Sequence, residues 1–394
     1  MTRSHPPLSR PLVQALPASK IRELANAGFG RSDLLRFWFG ESDRVTPDYI
    51  RDAAIAALTA GRTQYTHNNG NIELRAAVAA YLNRLHDRGF TTPQISITSS
   101  GVSALMIAMQ AILDPGDRVA VVAPVWPNVA EIPRILGAEV VRCGLTPTDL
   151  EWRLDLERLL DLITPETKLL LLNSPGNPTG WMLPADQRQI ILEHCRRLGV
   201  WLLCDEVYER LTLTADLTHA PSFLALAEPE DRVIGVNSFS KAWLMTGWRL
   251  GWIVAPPGME PDIGKLIEFN TSCAPDFIQV GGLAAIEQGE PYVAQLRDQL
   301  MSRSDTLLQA LRQQERVQAP SPAGGMYAFF RVHGFDDSMA LARTLISEAG
   351  LGLAPGAAFG PEGEGWLRWC FAAEADVLEE GIDRLVTWLR TRRP

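Results

Sequence analysis

The chain has 394 residues, of which 46% are hydrophobic and 21% charged, and its formal net charge is −9. This balance is typical of a folded globular protein with a large buried core. The acidic charge gives no electrostatic basis for binding nucleic acid or an anionic membrane. No apolar run reaches the roughly 18 residues of a membrane-spanning helix, so we expect neither nucleic acid nor a membrane among the partners.

The N-terminal stretch MTRSHPPLSRPLVQALP lacks the apolar segment of a signal peptide. Five cysteines stand at positions 143, 195, 204, 273 and 370, with no CxxC pair and no metal-ligand spacing. These features predict a cytoplasmic protein with reduced thiols and no metal centre.

Strand and helix patterns alternate from about residue 95 onward. Short apolar runs with the character of buried strands occupy 95–98, 118–124, 168–173, 200–206, 232–240 and 250–255. Helical patterns follow the first of these at 103–113 and the third at 184–199. This order predicts an α/β fold with a three-layer α/β/α domain around a mostly parallel sheet.

The pattern changes near residue 290. Long charged helices such as 297–314 are followed by a Gly-rich strand at 324–332 and a last helix at 377–392. We predict a large domain at 46–288 and a smaller α+β domain at 289–394. Residues 1–45 are expected to form an N-terminal arm and a segment of the smaller domain.

Ligands of α/β sheets bind at the carboxyl ends of the strands, so the residues after each strand are the candidate site. Together they offer a helix N-terminus, a flat aromatic, an amide, a carboxylate with a phenol, and two hydroxyls with an amine. This set suits a flat, phosphorylated, electron-poor aromatic aldehyde. The segments are Ser100–Ser103, Pro124–Trp126, Asn173–Gly180, Asp205–Tyr208 and Ser238–Lys241.

Two of these features favour a phosphate. Gly101 opens a helix directly after a strand, where free N–H groups and the helix dipole attract anions. Arg249 lies eight residues after Lys241, and a guanidinium binds phosphate through two parallel hydrogen bonds. Taken alone, a glycine such as Gly101 more often marks only a tight turn, and an arginine such as Arg249 more often lies at a surface or an interface.

Lys241 is the candidate for covalent attachment of the aldehyde. Lysine forms imines with carbonyl groups when its pKa is low enough to leave a free amine. Ser238 and Ser240 precede it, and Arg249 follows on the same loop. A lysine by itself is usually solvated, so the prediction depends on the whole segment SFSKAWLMTGWRLGW.

Asp205 ends an apolar strand, where a carboxylate is costly unless it has a partner. A protonated ring nitrogen would be such a partner, although a helix N-cap is an equal alternative. Tyr208 can hydrogen-bond a ring hydroxyl, and Trp126 can stack on a ring or belong to the core.

These residues resemble those of the fold-type I, pyridoxal phosphate (PLP)-dependent aminotransferases of class I/II, the aspartate aminotransferase family. The resemblance runs from about residue 35 to the C-terminus. Its segments are NSPGNPTG (173–180), CDEVY (204–208), SFSKAWLMTGWRLGW (238–252), YTHNNGNIELRAAVAAYL (65–82) and LAPGAAFGPEGEGWLRWCFA (353–372).

The resemblance implies a role for each matching position. Lys241 would hold PLP as a Schiff base and act as the catalytic base, with Asp205 on the pyridine nitrogen and Tyr208 on the ring hydroxyl. Arg368 would bind the substrate α-carboxylate. The other implied cofactor residues are Gly101, Val102, Ser103, Trp126, Asn177, Ser238, Ser240 and Arg249. The resemblance also implies a homodimer in which Tyr65 reaches the phosphate of the neighbouring subunit. The other implied substrate residues are Gly40, Trp126 and Asn177.

The sequence departs from this family at several positions. Val102 stands where a more polar residue is frequent, and no residue matches the basic side chain that aspartate-specific members use for the distal carboxylate. Aspartate specificity is therefore unsupported. Phe37, Trp38, Phe39 and Trp243 instead indicate an apolar or aromatic substrate.

The implied reaction moves the α-amino group of an L-amino acid to a 2-oxo acid. A carbon–sulfur lyase, a synthase or an oxidase on the same scaffold would use the same cofactor residues and stays an alternative. A PLP-sensing transcription regulator is a more remote one, because only about 35 residues precede the resemblance and the charge is acidic.

Overall fold

The computed structural model of the chain describes residues 8–392. Its α-helices are α1 (Pro11–Gln14), α2 (Lys20–Ala27), α3 (Asp48–Thr59), α4 (Ile72–His86), α5 (Gly101–Gln110), α6 (Pro127–Ile135), α7 (Leu156–Leu162), α8 (Ala185–Leu198), α9 (Glu260–Thr271), α10 (Asp276–Gln288), α11 (Glu290–Arg312), α12 (Ser338–Ala349) and α13 (Ala375–Thr391). In this part of the chain, none of them is both long and apolar enough to span a lipid bilayer.

The strands are β1 (Leu35–Arg36), β2 (Ile95–Thr98), β3 (Arg118–Ala123), β4 (Glu139–Gly144), β5 (Thr146–Pro147), β6 (Trp152–Arg153), β7 (Thr167–Asn173), β8 (Trp201–Asp205), β9 (Val233–Ser238), β10 (Gly251–Val254), β11 (Val317–Gln318), β12 (Tyr327–Val332), β13 (Leu351–Gly352), β14 (Ala354–Pro355) and β15 (Trp366–Cys370).

Seven of these strands form a large sheet in the order β2-β10-β9-β8-β7-β3-β4. Only β10 runs antiparallel to its neighbours, so the predicted mostly parallel sheet is confirmed. The sequence pattern does not predict the edge strand β4. This strand carries Glu139 and Arg142 and is only partly buried, so it lacks the continuous apolar run of the central strands.

Alternate residues of the central strands face opposite layers. In β7, Leu169 and Leu171 belong to one hydrophobic cluster, while Leu170 and Leu172 belong to the other. Side chains alternate across a strand, so a strand covered by helices on both faces must be apolar at every position. This is why the sequence LLLL marks the centre of the sheet.

A smaller antiparallel sheet has the order β11-β12-β15-β14. The Gly-rich segment predicted as a strand enters this sheet only from Tyr327 onward. The N-terminal strand β1 pairs in parallel with β13, so residues before 45 join the C-terminal part of the chain. The domain bounds given above stay a prediction.

Candidate active site

A cavity of about 690 Å³ lies between the carboxyl ends of the parallel strands and the smaller sheet. The large sheet contributes side chains that follow β2, β3, β7, β8 and β9, while β12 and β15 contribute from the other side. The predicted site residues that line it are Gly40, Gly101, Val102, Trp126, Asn177, Asp205, Ser238, Ser240, Lys241, Arg249 and Arg368.

One corner of the cavity is built to hold an anion. Helix α5 begins at Gly101, and the hydroxyl of Ser100 caps it by accepting the N–H of Ser103 (2.9 Å). The N–H groups of a first helical turn point out of the helix, where they attract negative charge. A Cβ on Gly101 would lie 3.1 Å from the Cβ of Ser238, so glycine allows the helix to start close to β9.

The loop after β9 adds hydroxyls and a cation to this corner. The Oγ atoms of Ser238 and Ser240 lie 2.9 Å apart, and both side chains are buried. Arg249 lines the same cavity and donates to the carbonyl of Thr246 (2.6 Å). Desolvation lowers the pKa of the Arg249 guanidinium, which an anionic ligand would reverse.

Lys241 and Asp205 are two charged groups, one half-buried and one buried, that face the cavity. The Nζ of Lys241 donates to the carbonyl of Gly40 (2.5 Å), and desolvation lowers the lysine pKa to about 8. Asp205 is 2% exposed and accepts one long hydrogen bond, from the N–H of Val207 (3.4 Å). Burial raises the pKa of this carboxyl to about 7, and no cation within residues 8–392 forms an ion pair with it.

Arg368 is a buried cation on β15, 2% exposed. Its guanidinium donates to Oδ1 of Asn177 (2.7 Å) and to the carbonyl of Trp38 (2.5 Å). Its Nε has no hydrogen-bond partner, and no acid within residues 8–392 forms an ion pair with it. A buried guanidinium without a counter-charge is prepared to bind a carboxylate.

Tyr327 is a cavity residue that the sequence pattern does not reveal. Its hydroxyl lies 2.6 Å from that of Tyr208, and its ring lies 4.4 Å from the guanidinium carbon of Arg368. A Cβ on Gly40 would overlap the Tyr327 hydroxyl, so this close approach requires glycine. Tyr208 itself does not line the cavity. The strand pattern around Tyr327 carries no signal that sets this tyrosine apart.

Of the four aromatic residues expected near the substrate, only Phe39 lines the cavity. Phe37 packs on Trp369 (ring centroids 4.9 Å apart), and Trp243 packs on Phe239 (5.3 Å). Trp38 is also buried in the core and offers the cavity only its carbonyl. The expectation that all four shape the pocket is wrong, because the chain bends at residues 38–40 and packing buries the other three side chains in the core.

Two predicted phosphate residues lie elsewhere. The side chain of Ser103 does not line the cavity, and its buried Oγ has no hydrogen-bond partner within the described residues. Tyr65 is 88% exposed and does not contact the cavity of its own subunit. Its predicted role concerns a neighbouring subunit and stays a prediction.

The chain is similar to aminotransferases along almost its whole length. The family described as aminotransferase class I and II matches residues 36–385. A probable N-acetyl-LL-diaminopimelate aminotransferase of Bacillus subtilis is 32% identical over 98% of this chain and 97% of its own length. An aspartate aminotransferase of Streptomyces avermitilis is 34% identical over 93% of this chain and 91% of its own.

Solved structures give the same result. An aspartate aminotransferase of Thermotoga maritima has a TM-score of 0.89 at 29% identity, covering 97% of this chain and 100% of its own. An aromatic aminotransferase of Pyrococcus horikoshii has a TM-score of 0.86 at 29% identity, covering 94% of this chain and 99% of its own. The predicted fold type, cofactor and enzyme class are confirmed: this chain belongs to the class I and II aminotransferases, which are PLP-dependent transferases.

Proposed function

We propose that this cavity binds PLP at the strand ends and that Lys241 and Arg368 carry the transfer of an α-amino group from an L-amino acid to a 2-oxo acid. One observation carries the proposal. Lys241, Asp205 and Arg368 line a single cavity, and none of them has an ion pair within the described residues. Lys241 matches an aldehyde, Asp205 matches a ring nitrogen, and Arg368 matches a substrate carboxylate.

The residues present fit PLP. Asp205 has the raised pKa of a buried carboxylate that lacks a cation, which a protonated pyridine nitrogen would supply. The corner at Gly101 offers helical N–H groups, hydroxyls and the Arg249 guanidinium to a phosphate. We assign the remaining cofactor contacts to Val102, Trp126, Asn177, Ser238 and Ser240, which line the cavity. Ser103 and Tyr208 do not line it, and their cofactor roles stay predictions.

PLP, when bound, withdraws electrons from the bonds at Cα of an attached amino acid. Lys241 would hold the aldehyde until the substrate amine displaces it, and its Nζ would then accept the proton of Cα. A pKa of about 8 favours this step, because a base works best when its pKa lies near the working pH. Asp205 would keep the pyridine nitrogen protonated by ion pairing.

Arg368 would orient the substrate. Two guanidinium nitrogens are already fixed by Asn177 and the carbonyl of Trp38, and the Gly40 segment closes the same side of the cavity. A carboxylate bound there would fix which Cα bond faces Lys241, and this orientation raises the rate by lowering the entropic cost of reaching the reactive geometry.

We further propose that the working unit is a homodimer in which Tyr65 contacts the partner's phosphate site. A second, apolar groove of about 680 Å³ shares Thr246 with the active-site cavity. Several large apolar side chains on this part of the chain are exposed, including Val45 (72%), Ile55 (59%) and Leu58 (49%). A second copy covering them would lie beside the active site.

The test is a half-reaction assay with the PLP-loaded protein. Loss of the cofactor absorbance band would be followed against a panel of twenty amino acids, with and without added 2-oxoglutarate or pyruvate. We expect the amino group to be transferred, and Lys241→Ala to abolish both the band and turnover. Release of ammonia without transfer to the oxo acid would instead indicate a lyase or an oxidase, and normal turnover of Lys241→Ala would exclude the assignment of Lys241.

A further inference from the structure

We propose that Glu209 is a positioning residue for the cofactor. It holds the turn after β8 and the end of β9 at a fixed distance from each other, so that one PLP molecule contacts both. This inference rests on the proposed function, because both segments contribute to the proposed PLP cavity. Glu209 itself does not line that cavity and would touch neither cofactor nor substrate.

The cofactor site is divided between two segments that separate where their strands end. The backbone pairing of β8 with β9 ends at Asp205 and Val236. Beyond this pair, the chain after β8 forms a turn at 206–210, while β9 continues to Ser238. Val207 of the turn lines the cavity and donates its N–H to Asp205, whereas Ser238 lies at the phosphate corner. A ligand that contacts both segments therefore requires a fixed separation between them.

Glu209 makes the contact that joins these segments beyond the paired strands. Its Oε2 accepts from Nδ2 of Asn237 (3.2 Å), and Oδ1 of Asn237 accepts the N–H of Ser238 (2.8 Å). The amide group of Asn237 is thus a donor toward the turn and an acceptor toward the phosphate corner. Within residues 8–392, no other hydrogen bond connects residues 206–210 with residues 237–241.

Glu209 is itself anchored by the end of helix α4. Nε2 of His86, the last residue of α4, lies 3.0 Å from Oε1 of Glu209, and the exposed fractions of the two side chains are 1% and 2%. Burial alone would lower the pKa of His86, but the pairing with Glu209 outweighs burial and the pKa is raised. The protonated ring is therefore favoured, and it supplies the positive charge that a buried carboxylate requires. Both oxygens of Glu209 thus have partners, which fixes the direction of its side chain.

PLP is a small and rigid molecule, so its ring and its phosphate must reach their contacts together. When two binding groups are rigidly connected, the second contact forms at a high effective concentration only if the protein presents both contacts at the matching distance. The contact of Glu209 with Asn237 sets this distance. Its loss should leave each segment able to bind its own part of the cofactor while weakening the binding of the whole molecule.

The experiment separates the two parts of the cofactor. Dissociation constants of the cofactor-free protein would be measured for pyridoxal and PLP by imine absorbance, and for inorganic phosphate by competition with PLP. In Glu209→Ala we expect the dissociation constant of PLP to rise about tenfold or more, and those of pyridoxal and phosphate to change less than about twofold.

A second variant breaks the same contact from the other side. Asn237→Ala should raise the dissociation constant of PLP by a similar factor, and it provides the measurement if Glu209→Ala does not fold. The double variant should lose no more PLP affinity than Asn237→Ala alone, because both substitutions remove one shared contact. Additive losses in the double variant would contradict this contact as the cause.

Two further variants separate positioning from general stability. Glu209→Gln keeps an oxygen for Asn237 and a polar group for His86, so its PLP dissociation constant should stay within about twofold of the wild type. Glu206→Ala is the matched control, because Glu206 is a buried acid of the same turn that accepts from Ser222 (2.7 Å) and not from β9. It should leave all three dissociation constants unchanged.

Two results would overturn the positioning role of Glu209. One is an equal loss of pyridoxal and PLP affinity in Glu209→Ala, and the other is the same loss of PLP affinity in Glu206→Ala, since either would mean that the acid only stabilises the turn. A wild-type protein that forms no imine with PLP would instead contradict the proposed function.

Discussion

The two ends of the cavity are assembled in different ways. At the cofactor end, the functional side chains follow successive strands of one sheet, as Trp126 follows β3 and Asp205 ends β8. At the substrate end, Arg368 meets the carbonyl of Trp38 across 330 residues of sequence, and Phe39 reaches the same cavity from the N-terminal segment. The cofactor end results from the topology of the large sheet. The substrate end results from the packing of the smaller sheet and the N-terminal segment on that sheet.

This difference predicts different consequences of mutation. Changes at the cofactor end should alter how PLP is held and how the cofactor-free protein responds to pH. Changes at the substrate end should alter KM and substrate choice while leaving the bound cofactor unchanged. Single substitutions at each end separate the two, from the largest expected effect to the smallest.

Arg368→Gln should lower kcat/KM by on the order of 100-fold for every amino acid, because a hydrogen bond to a charged group contributes about 1.5–3 kcal/mol. PLP binding should be unchanged. Single-turnover half-reactions and PLP titration measure the two quantities. Arg331→Gln is the matched control, since Arg331 lies on the same small sheet but stacks on Trp366 outside the cavity. Loss of PLP affinity in Arg368→Gln would contradict the division between the two ends.

Asp205→Asn should stabilise the cofactor-free protein by on the order of 2–4 kcal/mol at pH 8 while abolishing turnover. The folded-state pKa of Asp205 is raised to about 7, so the native protein binds a proton that the unfolded chain releases. Wild-type stability therefore falls between about pH 4 and pH 7, and the Asn variant lacks this loss. Urea unfolding of both proteins at several pH values measures the difference.

Asp231→Asn is the opposite control. The carboxylate of Asp231 accepts from Nε of Arg196 (2.7 Å), and this contact lowers its pKa. Its charge is therefore satisfied, and the Asn variant should be less stable than the wild type at pH 8. If Asp205→Asn were destabilising as well, burial without a partner would be the wrong description of Asp205.

The pKa of Lys241 sets the expected pH dependence of imine formation with PLP. With a pKa of about 8, the free amine fraction is about 10% at pH 7 and about 90% at pH 9. The initial rate of imine formation by the cofactor-free protein with PLP should thus rise about ninefold over this range and then level off. The rate would be measured by stopped-flow absorbance in the Asp205→Asn variant, because this substitution removes the second group that titrates near pH 7. A rate still rising steeply above pH 10 would mean that the lysine keeps its ordinary pKa.

Tyr327→Phe should have the smallest effect. It removes the hydroxyl that lies 2.6 Å from that of Tyr208, which amounts to about 0.5–1.5 kcal/mol, or roughly two- to tenfold in rate. If Tyr208 bonds the ring hydroxyl as predicted, the absorbance titration of bound PLP should shift as well. Tyr49→Phe, outside the cavity, should change neither quantity. A change in KM without a spectral shift would place Tyr327 wholly at the substrate end.

The sequence by itself determined the sheet and the cofactor end of the site. Continuous apolar runs such as 168–173 predict strands buried on both faces, and the carboxyl ends of parallel strands meet at one edge. The amino-acid sequence alone therefore places the residues after those runs together, among them Asn177 and Lys241. The weakly apolar edge strand β4 escapes this reasoning because it is only partly buried.

Only the tertiary structure decided the substrate end. Resemblance alone pointed to Arg368, and no pattern in the sequence brings Tyr327 to the same cavity. Phe37, Trp38 and Phe39 are consecutive, yet only the side chain of Phe39 faces the cavity while the other two enter the core. Which side chain of an extended segment faces a site depends on packing between elements far apart in sequence, and local periodicity does not contain that information.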